Sequence, residues 1–207
     1  MTLGARRSAR PEAGRETAAV AAIALLEDEH LAIASVLYGL RSAIRRIREG
    51  GAPDFRLLRA LLDYIVAFPE RLHHPKEDRH LFAALASRHP AARPLVATLE
   101  AEHAAGAAMI AALVQALGGY AAAGPARFEE FARCADAYVD FHWRHMTMEE
   151  DILLPLAERY LTPDDWSRVA RAFRENDNPL SGARPRDQAD ALYRRILELA
   201  PAGGPDA

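Results

Sequence analysis

His73-His74-Pro75-Lys76-Glu77 and, 72 residues further along, His145-Met146-Thr147-Met148-Glu149 decide the reading of this chain. Each places a histidine and a glutamate four residues apart. On an α-helix that spacing puts both side chains on one face, one turn apart. The first pair shares its face with Leu62, Val66, Leu81 and Leu85, the second with Phe131, Tyr138, Ile152 and Leu156. Both pairs are therefore predicted to point into an apolar core, where unpartnered carboxylates and imidazoles are very costly. Upstream of each pair stands a Glu-His dipeptide, Glu29-His30 and Glu102-His103, offset by 73 residues. The flanks repeat as well: Lys76-Glu77-Asp78 then Leu81-Phe82 matches Met148-Glu149-Glu150 then Leu153-Leu154. The chain thus carries an internal repeat.

Outward from these motifs, apolar residues recur at helical spacing in four long segments. The first runs from Glu16 to about Glu49 through Ile23, Leu26, His30, Ile33, Leu37, Leu40 and Ile44, and stops at Gly50-Gly51. The second runs from Phe55 to about Arg88 with Pro69 and Pro75 inside it, each of which removes a backbone donor and bends or loosens the helix. The third runs to about Leu117, with a turn predicted at Gly118-Gly119 and around Gly124; the fourth spans about Ala126 to Tyr160. About 19 residues lead from His30 to the first turn, and about 19 lead back from Asp54 to His73. At 1.5 Å per residue both legs are roughly 28 Å, so the two histidines end at one height. The fold class expected is all-α: an antiparallel up-down four-helix bundle over 16–161. Residues 1–15 are expected to be disordered. A C-terminal helical extension is expected over 162–200, starting at a Thr162 cap and including a Gln188–Leu199 helix, followed by a disordered tail, 201–207.

Composition narrows the function classes. The single cysteine, Cys134, excludes a disulfide scaffold and any zinc or iron–sulfur site built on cysteines of one chain; it is read as a packing residue. A formal net charge of −3 argues against nucleic acid held by bulk electrostatics. The apolar run Ala18–Leu26 is too short to cross a bilayer, so no membrane is expected. Met1–Arg15 lacks a signal-peptide apolar stretch, which makes the expected location cytoplasmic. The 44 alanines and the near absence of lysine (Lys76 alone) carry no functional weight.

Four histidines and two glutamates are thus predicted to converge at one level of one core. A pair of metal ions removes the penalty of burying them: carboxylates bridge two cations and imidazoles cap each. Such nitrogen-rich ligation suits iron, with zinc, copper and nickel as alternatives. Glu27, Asp28, Glu29 and Glu102 are positioned to orient His30 and His103 as hydrogen-bond acceptors.

At these residues the sequence resembles the hemerythrin-like (HHE cation-binding) proteins, in the bacterial pattern H…HxxxE…H…HxxxE, over about Leu25–Ala157. The resemblance implies a non-haem di-iron centre, two oxo- or hydroxo-bridged iron ions for which zinc or manganese can substitute. His30, His73, His103 and His145 would be terminal ligands, and Glu77 and Glu149 bridging carboxylates. The invertebrate oxygen carriers have a further histidine on the third helix; Ala107 stands at that place here.

The implied function is binding or sensing of dioxygen or nitric oxide. Iron or redox handling is the alternative: reduction of peroxide or nitric oxide, or iron donation to damaged iron–sulfur clusters. The cysteine-containing N-terminal module of the similar repair proteins has no counterpart in Met1–Arg15. A metal-responsive interaction module with an unknown protein partner is a third reading. Nothing in the sequence offers a substrate pocket beyond the metal layer, which favours binding over catalysis. His74 is expected on the side of Asp63 and Asp78, as a surface or supporting residue, and His142 as a core histidine; either as an added ligand is left open. His80 and His89 are expected to be solvated, and Tyr38, Tyr64 and Tyr138 to lie in the core. The Ala104–Ala108 run is read as close helix packing or as room for a diatomic gas.

Overall fold

In the computed structural model the described residues are 9–175, side chains from 18 onward. The Gln188–Leu199 helix and the 201–207 tail lie outside them. All regular structure among the described residues is helical. Helix α1, Ala9–Arg48, begins inside the stretch expected to lack structure. A turn at Gly50, whose φ of 92° favours glycine, leads to Asp54. Asp54 Oδ1 accepts from the backbone N–H of Leu57 at 3.0 Å and so caps the second helix. That helix, α2, is a composite: Phe55–Ala67, a π-helical turn Pro69–His73, His74–Lys76, a second π-helical turn Glu77–Phe82, and Ala83–Arg88. Helix α3 is Arg93–Ala123. Helix α4 joins Phe128–Met148, a π-helical turn Glu149–Leu153 and Leu154–Tyr160. Helix α5 is Pro163–Arg174.

Helix α1 packs on α2 and α4, α2 on α3, and α3 on α4, the order of an up-down four-helix bundle. The predicted turn at Gly118-Gly119 does not form. Tyr120 is buried against Phe55, Phe128 and Phe131, which carries α3 on to Ala123, and Gly124 with φ 68° makes the turn instead. The helical stretch Pro90–Tyr160 contains a window of mean hydropathy 1.5, long and apolar enough by composition to cross a membrane, a feature the run Ala18–Leu26 does not capture.

The core is divided in two. One apolar cluster is built from Ile33–Ile44 residues of α1, the first half of α2, the end of α3 and the start of α4. The other contains Leu26, Leu81, Phe82, Leu99 and Leu153 together with Trp166, Val169 and Phe173 of α5. In every bundle helix the switch from one cluster to the other falls at a motif histidine. The balanced legs read from the sequence therefore correspond to a real polar layer between two dry ones. Helix α5 is part of the molecule's core: Trp166 is fully buried, and Lys76 Nζ donates to the Ala172 carbonyl at 2.6 Å. Its Thr162–Asp165 capping box forms as its sequence implies.

Candidate metal centre

The π-helical turns set the orientation of the motif residues. The N–H of His73 reaches back to Phe68 O at 3.1 Å and that of His74 to Pro69 O, five residues in each case. The last turn of the site does the same from Leu154 to Glu149. Each π turn adjoins a proline (Pro69, Pro75 or Pro155) that cannot donate to the carbonyl four residues back, and the extra residue relieves that conflict. It also rotates the remainder of the helix. On α4 the buried stripe continues through Leu153 and Ala157, leaving Ile152, expected in the core, 49% exposed.

The six predicted residues meet at one level and are all buried. Glu77 Oε1 lies 3.2 Å from His73 Nε2 and 3.6 Å from His30 Nε2, while its Oε2 lies 3.5 Å from His103 Nε2. Glu149 mirrors this: Oε1 is 3.3 Å from His145 Nε2 and 3.8 Å from His103 Nε2, and Oε2 is 3.4 Å from His30 Nε2. Each carboxylate thus presents one oxygen to one histidine pair and the other oxygen to one member of the opposite pair, His103 for Glu77 and His30 for Glu149.

Every one of the four imidazoles is held from behind. Its Nδ1–H donates to a carboxylate: His30 to Glu150 (2.8 Å), His73 to Glu29 (2.8 Å), His103 to Asp78 (2.8 Å) and His145 to Glu102 (2.9 Å). A carboxylate can only accept, so the tautomer is set and each Nε2 lone pair faces inward. Glu29 and Glu102 do support the site, but their partners are His73 and His145, not the His30 and His103 expected from adjacency. Asp78 and Glu150 take that part, and they come directly after the two glutamates in the repeat. Neighbours along a helix point about 100° apart, so a carboxylate beside a histidine meets the adjacent helix instead.

The family comparison accords with this geometry: residues 21–157 match the hemerythrin HHE cation binding domain. The chain belongs to the hemerythrin HHE cation-binding family. Comparison with curated proteins and with solved structures returns no match.

The hemerythrin-type donor set here fits a pair of cations. Two groups can each hold an ion, His30, His73, Glu77 and His74, Glu77, His103, His145, with Glu77 common to both. His30 Nε2, Glu77 Oε2 and Glu149 Oε1 are buried with no hydrogen-bond partner, and His103 Nε2 sits 3.0 Å from His145 Nε2. Lone pairs facing one another in a dry layer require cations or protons between them. The side chains' own titration tells the same story. Burial opposes charge on His30, but Glu150, Glu77 and Glu149 outweigh it and hold the imidazole up to about 10. His103 is likewise raised to about 10 and His73 to about 9. Despite burial, the surrounding histidines hold Glu77 well below the ordinary carboxylate range. The cluster has a strong affinity for positive charge.

Several sequence expectations change. His74 is buried rather than on the Asp63 side, its ring stacked on His103 at 4.2 Å, because the π turn before it turns it inward. His142 is a core histidine as expected, donating from Nδ1 to Tyr138 O at 3.3 Å. Burial, with His145 adding repulsion, lowers its pKa to about 3, so it is neutral. The space at Gly106 in the Ala104–Ala108 run is filled by the His142 ring. Tyr38 is exposed, whereas Tyr64 and Tyr138 are buried. His89 is half-buried, its ring stacked on Tyr160 at 3.8 Å. Cys134 packs beside the core.

Proposed function

We propose that this chain is a non-haem di-iron protein that binds dioxygen or nitric oxide at the layer between its two apolar clusters. The observation that carries this reading is the splay of Glu77 and Glu149: on each, one oxygen faces a pair of inward Nε2 atoms and the other oxygen faces one Nε2 of the opposite pair. Bound ferrous ions would supply electrons and an open coordination position for a small ligand. The chain's own residues do the rest. Glu77 and Glu149 set the separation of the two positions. Glu29, Asp78, Glu102 and Glu150 lock the imidazoles and, with Glu77 and Glu149, contribute six negative charges near the site. That charge favours the more oxidised state of a bound metal. Leu26, Phe82 and Leu99 on one side and Ile33, Phe68 and Tyr138 on the other keep the layer dry, which restricts access to ligands of gas-molecule size.

The test is anaerobic reconstitution with ferrous iron, metal analysis, and optical spectra before and after adding oxygen or nitric oxide. About two irons per chain with new charge-transfer bands on gas addition support the proposal. Less than one iron per chain, or no spectral response to either gas, defeats it.

A further inference from the structure

We propose that Tyr138 is a redox-active residue that gives one electron to hydrogen peroxide reacting in the metal layer, while its phenol proton passes to Glu70. The inference rests on the di-metal reading and deepens it by assigning an electron donor from the chain itself.

Tyr138 is fully buried in the apolar cluster that also holds Phe68 and Phe131. Its hydroxyl donates to Glu70 Oε1 at 3.1 Å. The Glu70 side chain is 9% exposed, and its oxygens stand 3.9 Å from His142 Nε2 and from His74 Nδ1, too far for hydrogen bonds. Burial keeps both of those imidazoles neutral. Glu70 is therefore a carboxylate taken out of water with a phenol as its close partner. A phenylalanine at 138 and an apolar side chain at 70 would fill the same space without that cost. The pair makes chemical sense as a donor and the base that serves it. A phenol that loses an electron becomes a strong acid, and a buried one is oxidised only if a base takes its proton at once.

The electron has a short path to the layer. The Tyr138 ring stacks on His142 at 4.1 Å, and the His142 ring lies 6.2 Å from that of His145. Hydrogen peroxide takes up two electrons and two protons to become two waters. A half-reduced metal pair holds one of these electrons, and Tyr138 supplies the other. The O–O bond of the peroxide breaks and its two protons come from solvent. The phenol O–H bond breaks and that proton stays on Glu70 Oε1. A neutral phenoxyl radical beside a neutral carboxyl results. The oxidising equivalent thus comes to rest in the dry cluster instead of on the histidines of the site.

The full chain, loaded with iron and poised at one reducing electron per pair, is mixed with hydrogen peroxide and frozen for EPR. A free-radical signal is expected whose hyperfine pattern changes when the tyrosines are ring-deuterated. Tyr138→Phe should lose it with two irons still bound. Tyr64→Phe, whose ring approaches His73 through Phe68, should keep it. Glu70→Gln accepts the phenol's hydrogen bond but not its proton, and should slow radical formation by about 100-fold or more; it decides the matter if Tyr138→Phe fails to fold. An iron-loaded wild type without a tyrosine radical, a signal that survives in Tyr138→Phe, or a Glu70→Gln as fast as wild type overturns the donor role alone. A wild type that takes up no ion pair overturns the di-metal reading, and the donor role with it.

Discussion

Glu29 hydrogen-bonds His73 on the neighbouring helix at 2.8 Å, not His30, the next residue in the chain. Its repeat counterpart, Glu102, makes the same crossing to His145 at 2.9 Å. The carboxylates that orient the site therefore also clamp α1 to α2 and α3 to α4. Glu29→Gln should weaken metal binding by about 10–100-fold while the fold survives, because the tautomer of His73 is no longer enforced. Competition against a chelator of known affinity measures it. An unchanged affinity would mean that the crossing is packing only.

The chelator-treated protein should lose stability as pH rises above neutrality. His30 and His103 are held up to about 10 and His73 to about 9, against 6.5 in an unfolded chain. Their stabilisation is fully present below pH 6.5 and is lost as pH climbs through 9 to 10. Glu77 and Glu149 are depressed, so their contribution is present above the ordinary 4.5 and fades as pH falls. Thermal melts of the stripped protein should therefore show a falling Tm from about pH 6.5 to 10, a decline absent once metal has displaced the protons. A flat Tm over that range in the stripped protein contradicts the assignment.

Helix α5 seals the layer. Trp166 is fully buried and Phe173 meets the His73 ring edge-on at 5.7 Å. Trp166→Ala should cost about 3–5 kcal/mol by opening a cavity beneath α5. Trp143→Ala, at a site 39% exposed, should change stability by no more than about 0.5 kcal/mol. Urea unfolding of the two variants separates a core helix from a dispensable appendage.

Gly106 is needed for clearance rather than for backbone freedom. A Cβ there would stand 3.1 Å from His142 Cε1 and 3.5 Å from the Phe141 ring. The His142 ring is backed by Tyr138, stacked at 4.1 Å, and has little room to retreat. Gly106→Ala gains about 1 kcal/mol of helix propensity but incurs about 1–3 kcal/mol of overpacking. A net loss in chemical denaturation is the expected result, and a gain would show that His142 can move.

Much of the bundle was legible before any coordinates. The 3.6-residue period fixes which helices have an inward face. The lengths between each histidine and its turn then fix a common level, since rise per residue is nearly constant. What was not legible involves departures from that regularity. A π turn inserts one residue, so Ile152 and His74 exchange the surroundings expected of them. Gly118-Gly119 looks like a stop, yet Tyr120 finds a pocket beyond it.

The sequence by itself determined the four-helix plan and the convergence of His30, His73, Glu77, His103, His145 and Glu149, because both result from periodicity and leg length within single helices. Only the tertiary structure decided which carboxylate serves which histidine, that His74 joins the layer, and that α5 closes it. Those outcomes depend on the rotation of one helix against another. One-residue changes in helical phase, set by prolines and by pockets on other helices, control that rotation, and no local pattern records them.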